Sequence, residues 1–329
     1  MDSRERVQMV LRRRVPDAVP RSTYDVAIDL YNDSTIELFQ ARCGKHPRYC
    51  FRQDLRGLAM PVPAGVAQIG VQDRLRNWQT VDEVRDLMSC WASTLVLDVD
   101  AVRKRVADIH RAGYPAVAVS GISDFETPFD MRGREQFFAD LGYQEEWLPV
   151  FLDCVADAAA AIAEAAGRAG ADIFGIGDDL GSQRGLLISP QLWRALFKPR
   201  LKRIIDAVKN ANRETAFFLH TDGLVTELIP DFIEIGVDIL NPIQPEVMDP
   251  AEAKRQYGQD LIFFGGISVQ HTLPFGTPQD VYDEVRTRME TIGAGGGYLM
   301  TPSHLINADI PWENIVAFFE AAEIYGAYR

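Results

Sequence analysis

The stretch TAFFLHTDGLVTELIPDFIEIGVDILNPIQ, residues 215–244, carries the fold in miniature. Its opening, TAFFLHTD, is a short apolar run that reads as a strand. LVTELIPDFIEIG reads as a helix, and VDILNPIQ as a second apolar strand. Short apolar strands alternating with helices imply a parallel sheet with both faces covered.

The alternation continues on both sides. Upstream, DVDAVRKRVADIHRAG is a helix ending at Gly113, a natural residue just past a helix end, and YPAVAVSGI is a strand. A long alanine-rich helix ending at Gly170 leads to the strand ADIFGIGDD, and a helix interrupted by Pro199 leads back to residue 215. Downstream, helix DPAEAKRQYG precedes strand DLIFFGGIS, and helix TPQDVYDEVRTRMETIG precedes strand GGYLMTPS. The glycine run GAGGGY (293–298) lacks the lysine of a phosphate loop and precedes its strand, so it reads as a helix-to-strand connection. PWENIVAFFEAAEIYG closes the chain as a helix. Six such strands favour a closed (β/α)8 TIM barrel over an open sheet, with two early strands expected within residues 21–95. The expectation is therefore an α/β fold: a single domain over 1–329, with 1–95 an N-terminal elaboration and 96–329 regular repeats. A first helix is expected from about Arg4 to Arg14, capped by Ser3 and stopped by VPDAVP.

Composition narrows the function classes. The chain has 329 residues, 47% hydrophobic and 25% charged, as expected for a soluble globular protein. No apolar run reaches the roughly 20 residues that span a bilayer, and the charged N-terminal segment does not resemble a signal peptide. A net charge of −13 argues against duplex nucleic acid as a partner. Cys43, Cys50, Cys90 and Cys154 show no CxxC spacing, and reduced thiols in a cytoplasm are the simplest reading.

In a parallel barrel, reactive groups collect where strands end. Polar residues stand at those ends here: Asp178 and Asp179, His220 and Asp222, Asn241 and Gln244, Ser268 and Gln270, Ser303 and His304. His220 and Asp222 are two apart on a strand and so address one side, as a metal pair or an acid/base pair. Of the adjacent Asp178 and Asp179 only one should enter the pocket, with Asp178 preferred as the group handling a proton. Gln183 and Arg184, in GSQRG, suit substrate binding, Arg184 through a bidentate contact to a carboxylate. Gln244 and Gln270 can orient a substrate without titrating, and His304 can serve as ligand or general acid. Each has a plainer alternative: an Asp222–Gly223 turn, a solvated cap, a surface ion pair, loop bracing.

The stretches GIGDDLGSQRGLLISPQLWRALFKPRLKRII, FLHTDG, IEIGVDILNPIQPEVMDPAEAKRQYG, FFGGISVQHTLPFGTPQDV and GGGYLMTPSHLI, with FETPFDMRGREQFFADL near residue 125, resemble the uroporphyrinogen-decarboxylase-like superfamily. That superfamily includes uroporphyrinogen decarboxylases and corrinoid-linked methyltransferases. The resemblance implies a distorted (β/α)8 barrel with an N-terminal extension and no tightly bound organic cofactor. It also implies that Glu126 lines the pocket, that a homodimer forms, and that a corrinoid protein serves as partner if the reaction is methyl transfer. The decarboxylase branch carries an arginine-rich RQAGRY-type segment and a late GHG motif; this chain has neither, and TPSHLI stands at the second position. The methyltransferase branch binds zinc through HxC and a later cysteine. Here the corresponding positions read His220-Thr221-Asp222 and Pro302-Ser303-His304.

The expectation is thus a metal site of nitrogen and oxygen ligands, built on His220 and Asp222 with His304 as an option, suited to zinc or another divalent ion. The functional expectation is metal-assisted methyl transfer or demethylation on a small organic substrate, with Asp178, His220 and His304 catalytic. Glu126, Asp179, Gln183, Arg184, Gln244 and Gln270 are the expected substrate-binding residues. Decarboxylation of a carboxylated substrate is the second reading, and a binding subunit without chemistry the third.

Overall fold

The structure, a computed structural model, describes residues 1–23, 33–63, 78 and 80–328, the side chain of Arg48 apart. Seven parallel strands form one curled sheet: β1 (Arg56–Ala59), β2 (Ala116–Val119), β3 (Ile173–Gly177), β6 (Ala216–His220), β7 (Ile239–Ile243), β8 (Ile262–Ile267) and β9 (Tyr298–Pro302). They pair in that order. The loop after β3 adds a small antiparallel ribbon, β4 (Gly181–Ser182) with β5 (Gly185–Leu186).

The expected eight-stranded barrel is met in part. One of the two early strands, β1, is present, and no eighth strand appears among the described residues. Between β9 and the start of β1 runs the short segment Pro20–Ser22. Met300 N donates to Pro20 O (2.9 Å), Ser22 N to Met300 O (3.2 Å) and Asp54 N to Arg21 O (2.7 Å). Proline at position 20 has no N–H to offer a ladder, which limits pairing here to a single bridge.

Alternation along each strand sorts side chains into two cores. In β6, Ala216 and Phe218 join Val117, Ile173, Ile239, Ile262, Phe264 and Leu299 in an inner cluster. Phe217 and Leu219 join the outer core beneath the helices. Val7 and Val10, fully buried on the first helix, complete the inner cluster and stopper its base. That helix spans Ser3–Leu11, and its cap is Asp2, not Ser3 as expected: Asp2 and Glu5 form a reciprocal capping box, in which a carboxylate serves as well as a hydroxyl. The helices of the repeats match the alternation, with Val99–Arg111, Leu148–Ala169, Lys198–Ala211, Pro250–Tyr257 and Pro278–Glu290 on the outside. Pro199 separates Pro190–Leu196 from Lys198–Ala211, as its missing N–H dictates.

The reading of all cysteines as free thiols is corrected. Cys43 and Cys50 form a disulfide, with Cα atoms 6.2 Å apart, because helix Asp33–Cys43 and the turn Pro47–Cys50 fold back on each other. Cys90 and Cys154 are free. No helix among the described residues is long and apolar enough to cross a membrane.

Candidate functional site

Strand parity decides what reaches the mouth. His220 continues the inner series Ala216 and Phe218 of β6, so its ring stands over the inner cluster at the strand's C-terminal end. In β3, Ile173 lies inward and Phe174 and Ile176 outward. Continuing the alternation, Asp178 turns outward and Asp179 inward, and the contacts agree. Asp179 Oδ1 lies 3.5 Å from His220 Nε2 and accepts from Asp222 N at 2.9 Å. Asp178 is 2% exposed and accepts from the amides of Phe125 (3.1 Å) and Glu126 (2.9 Å). The structure thus places Asp179, rather than the expected Asp178, beside His220.

His220, Asp222 and His304 converge, each offering a ligand atom within 4.8 Å of the others. Asp222 Oδ1 is 4.0 Å from His220 Nε2, and Asp222 Oδ2 is 3.7 Å from His304 Nε2. The remaining His220 nitrogen, Nδ1, lies 2.7 Å from Asn241 Oδ1, while Asn241 Nδ2 donates to Phe264 O at 3.2 Å. Since that amide spends its hydrogens on a carbonyl, its oxygen must accept, so His220 carries its proton on Nδ1. Nε2 faces Asp179 and Asp222. Asn241 sits inward on β7 and is fully buried. Sequence reading placed it at a strand end and did not give it this role; the signal was there in the parity that gave His220.

The turn carrying Asp222 is built by glycine. Gly223 has φ +84°, and a Cβ there would lie 2.5 Å from the Gly181 carbonyl carbon. The ribbon and the turn thus touch backbone to backbone, joined by Leu224 N to Ser182 O at 2.9 Å. Gln244 Oε1 accepts from Gly223 N at 3.1 Å, and Thr221 Oγ1 accepts from Leu180 N at 3.1 Å. Gln244 is therefore engaged in holding the turn.

Around the triad the groups are mostly acidic. Burial, then the charges of Asp179 and Asp178, push the Glu126 carboxyl up to about 8, so it holds a proton at neutral pH. Burial raises Asp222 too, against the pull of His220, and burial lowers His304 against the pull of Asp222. Beneath Glu126, Asp124 lies beside Asp178; desolvation and the neighbouring charge drive Asp124 well above the carboxylate range, so the buried pair holds a proton. Glu246, missed in the sequence, bonds Ser268 through one oxygen, while its other oxygen is buried without a hydrogen-bond partner among the described residues. Gln183 and Arg184 stand exposed at the tip of the ribbon, Gln270 is exposed, and Ser303 spends its hydroxyl on the Ile243 and Ile267 carbonyls.

Two imidazoles and a carboxylate, one imidazole fixed by an outer amide, form the kind of nitrogen–oxygen donor set that takes a divalent cation. None of the cysteines contributes to it: the set is His220, Asp222 and His304.

A sequence model described as uroporphyrinogen decarboxylase (URO-D) matches residues 71–325. The chain is 30% identical over 176 residues to the methylcobamide:CoM methyltransferase MtaA of Methanosarcina barkeri, covering 54% of this chain and 48% of that one. It is 28% identical over 182 residues to a uroporphyrinogen decarboxylase of Trichodesmium erythraeum, 55% and 48% covered. The matched region spans about half the length of these relatives. A solved methyltransferase from Methanosarcina mazei superposes with a TM-score of 0.65 at 18% identity, over 99% of this chain and 100% of that one; this likeness establishes the fold.

Proposed function

The chain belongs to the uroporphyrinogen decarboxylase (URO-D) family, and from that premise we propose that it is an enzyme of metal-assisted methyl transfer or demethylation on an oxygen-bearing organic substrate. The observation that carries the reading is the convergence of His220, Asp222 and His304, with Asn241 setting the tautomer. His220 Nε2, Asp222 and His304 Nε2 would hold the cation, zinc being one that suits the set. A divalent cation there supplies a Lewis acid for a substrate oxygen, for which a hard carboxylate in place of thiolate is the better companion. Glu126, holding its proton at neutral pH, is placed to donate to a leaving oxygen. Asp179 braces the Asp222 turn and faces His220. The similarity to methylcobamide:CoM methyltransferases supports a separate corrinoid protein as methyl carrier.

Decarboxylation is the weaker reading. A carboxylated substrate would enter among Glu126, Asp179, Asp222 and Glu246, and Arg184, the expected carboxylate clamp, stands exposed at the ribbon tip. The deciding experiment is metal analysis after dialysis, with turnover, for wild type, His220→Ala and Asp222→Cys. The expected results are metal in wild type, loss of metal and activity in His220→Ala, and more zinc with less activity in Asp222→Cys. Equal zinc in wild type and Asp222→Cys would dissolve the metal pair and return Asp222 to direct substrate contact.

A further inference from the structure

At the end of the sheet opposite the mouth, a cavity of about 420 Å³ opens between the first helix and the beginnings of β3, β6 and β7. In an α/β barrel this face ordinarily serves stability rather than chemistry. The charges here are unevenly satisfied. Arg4 is spent on Asp172 at 3.2 Å, and Lys209 on Asp238. Asp172 also receives His110 Nε2 at 2.6 Å and the amide of Ala116 at 2.8 Å, and Asp238 the amide of Phe217 at 2.7 Å. Those two carboxylates are thereby neutralised in place. Arg12 and Arg213 line the same cavity, are exposed, and have no ion pair or side-chain hydrogen bond among the described residues. Asn212 Oδ1 accepts from Glu214 N at 3.1 Å, which leaves its Nδ2 hydrogens unused. Both arginines follow the last turns of helices, where a cation offsets the carbonyl ends. That role is met by charge alone and needs no concavity. Unspent guanidinium forks opening on a cavity of ligand size, in a chain of net charge −13, are a different arrangement.

We propose that this cavity binds a phosphate group, inorganic or carried on a small monoester, through Arg12 and Arg213 with Asn212 as a further donor. A dianion with several acceptor oxygens can occupy two guanidinium forks at once, whereas a carboxylate fills one. Glu214, exposed on the same rim, is the one carboxylate there that would oppose it.

The test is a titration of the intact protein with inorganic phosphate, and separately with glycerol 3-phosphate, against chloride at matched ionic strength, read by calorimetry and thermal shift. Saturable binding of phosphate and not of chloride is expected. Arg12→Ala and Arg213→Ala should each weaken it by roughly tenfold, the loss of one charge-assisted contact. Glu214→Gln should tighten it, and Arg85→Ala, on helix Val81–Ala92 and outside the cavity's lining, should leave it unchanged. Tighter binding of the monoester than of phosphate would assign the rest of the cavity to the ester's organic part; equal binding would assign the site to the free ion. Binding that survives both arginine substitutions, or a chloride response equal to that of phosphate, overturns the proposal.

Discussion

Gly223→Ala puts the construction of the mouth to a quantitative test. Two separate costs arise at this residue. Its φ of +84° is a left-handed backbone that costs an L-residue about 1–2 kcal/mol. A methyl group there would also meet the Gly181 carbonyl carbon at 2.5 Å and the Ser182 nitrogen at 2.6 Å, both backbone atoms unable to rotate away. Overpacking of that kind costs about 1–3 kcal/mol more. With an unfolding entropy near 2.1 cal/mol/K per residue, a chain of 329 residues loses about 1 °C for every 0.7 kcal/mol. The expected fall in Tm is therefore about 3–7 °C. Gly295→Ala supplies the control: φ is +74°, but nothing lies within 4 Å of the added carbon, so the strain acts alone. Its Tm should fall by about 1–3 °C. Differential scanning fluorimetry on the two variants separates packing from strain. Metal content after dialysis should fall in Gly223→Ala only, since only that turn carries Asp222. Equal shifts in the two proteins would refute the close contact between turn and ribbon.

Asn241→Ala should lower metal affinity by roughly 10–100-fold, the usual range for an outer partner of a ligating histidine, measured by competition with a chelator; unchanged affinity would detach Asn241 from the site. Glu126 titrates near 8 in the fold but near an ordinary 4.3 when unfolded, so the folded state holds its proton longer. Stability from that proton is whole below about pH 4 and lost as pH rises to about 8, so Glu126→Gln in metal-free protein should flatten the pH–Tm curve across that window and surpass wild type above it. Parallel curves would place Glu126 in ordinary solvent. Arg6→Ala removes a buried guanidinium 2.8 Å from both Asp17 and Asp54, at a cost of about 3–5 kcal/mol and a Tm fall of about 4–7 °C. A change below about 1 °C would mean the carboxylates rehydrate freely.

The repeats from β2 onward were legible because each element announces itself locally: a capped start, an apolar run, a glycine such as Gly170 or Gly236 after the last turn. The region before them was not. β1 is four residues, RGLA, with a charged first residue, and it is a strand only because β2 lies beside it. At the site, His220, Asp222 and His304 were recoverable from their places at strand ends. Counting inward positions from Ile173 favours Asp179 over Asp178 as the neighbour of His220, in line with its placement. Glu246 became visible only through its partner Ser268, and Asn241, though it stands at a strand end, showed its role only through the His220 ring; both partners are distant in sequence. Long-range pairings of this kind leave no periodic trace.

The seating of Val7 and Val10 has a consequence for how the chain is made. Their socket is assembled from Val117, Ile173, Ile239, Ile262 and Leu299, so it is incomplete until β9 has left the ribosome. At about 5–20 residues per second, the first helix waits roughly 15–60 seconds with its valines uncovered. When the socket closes, the Ala18–Ala327 bridge ties the segment after helix Ser3–Leu11 to the one after helix Trp312–Tyr325, so the base of the sheet closes only once β9 is in place.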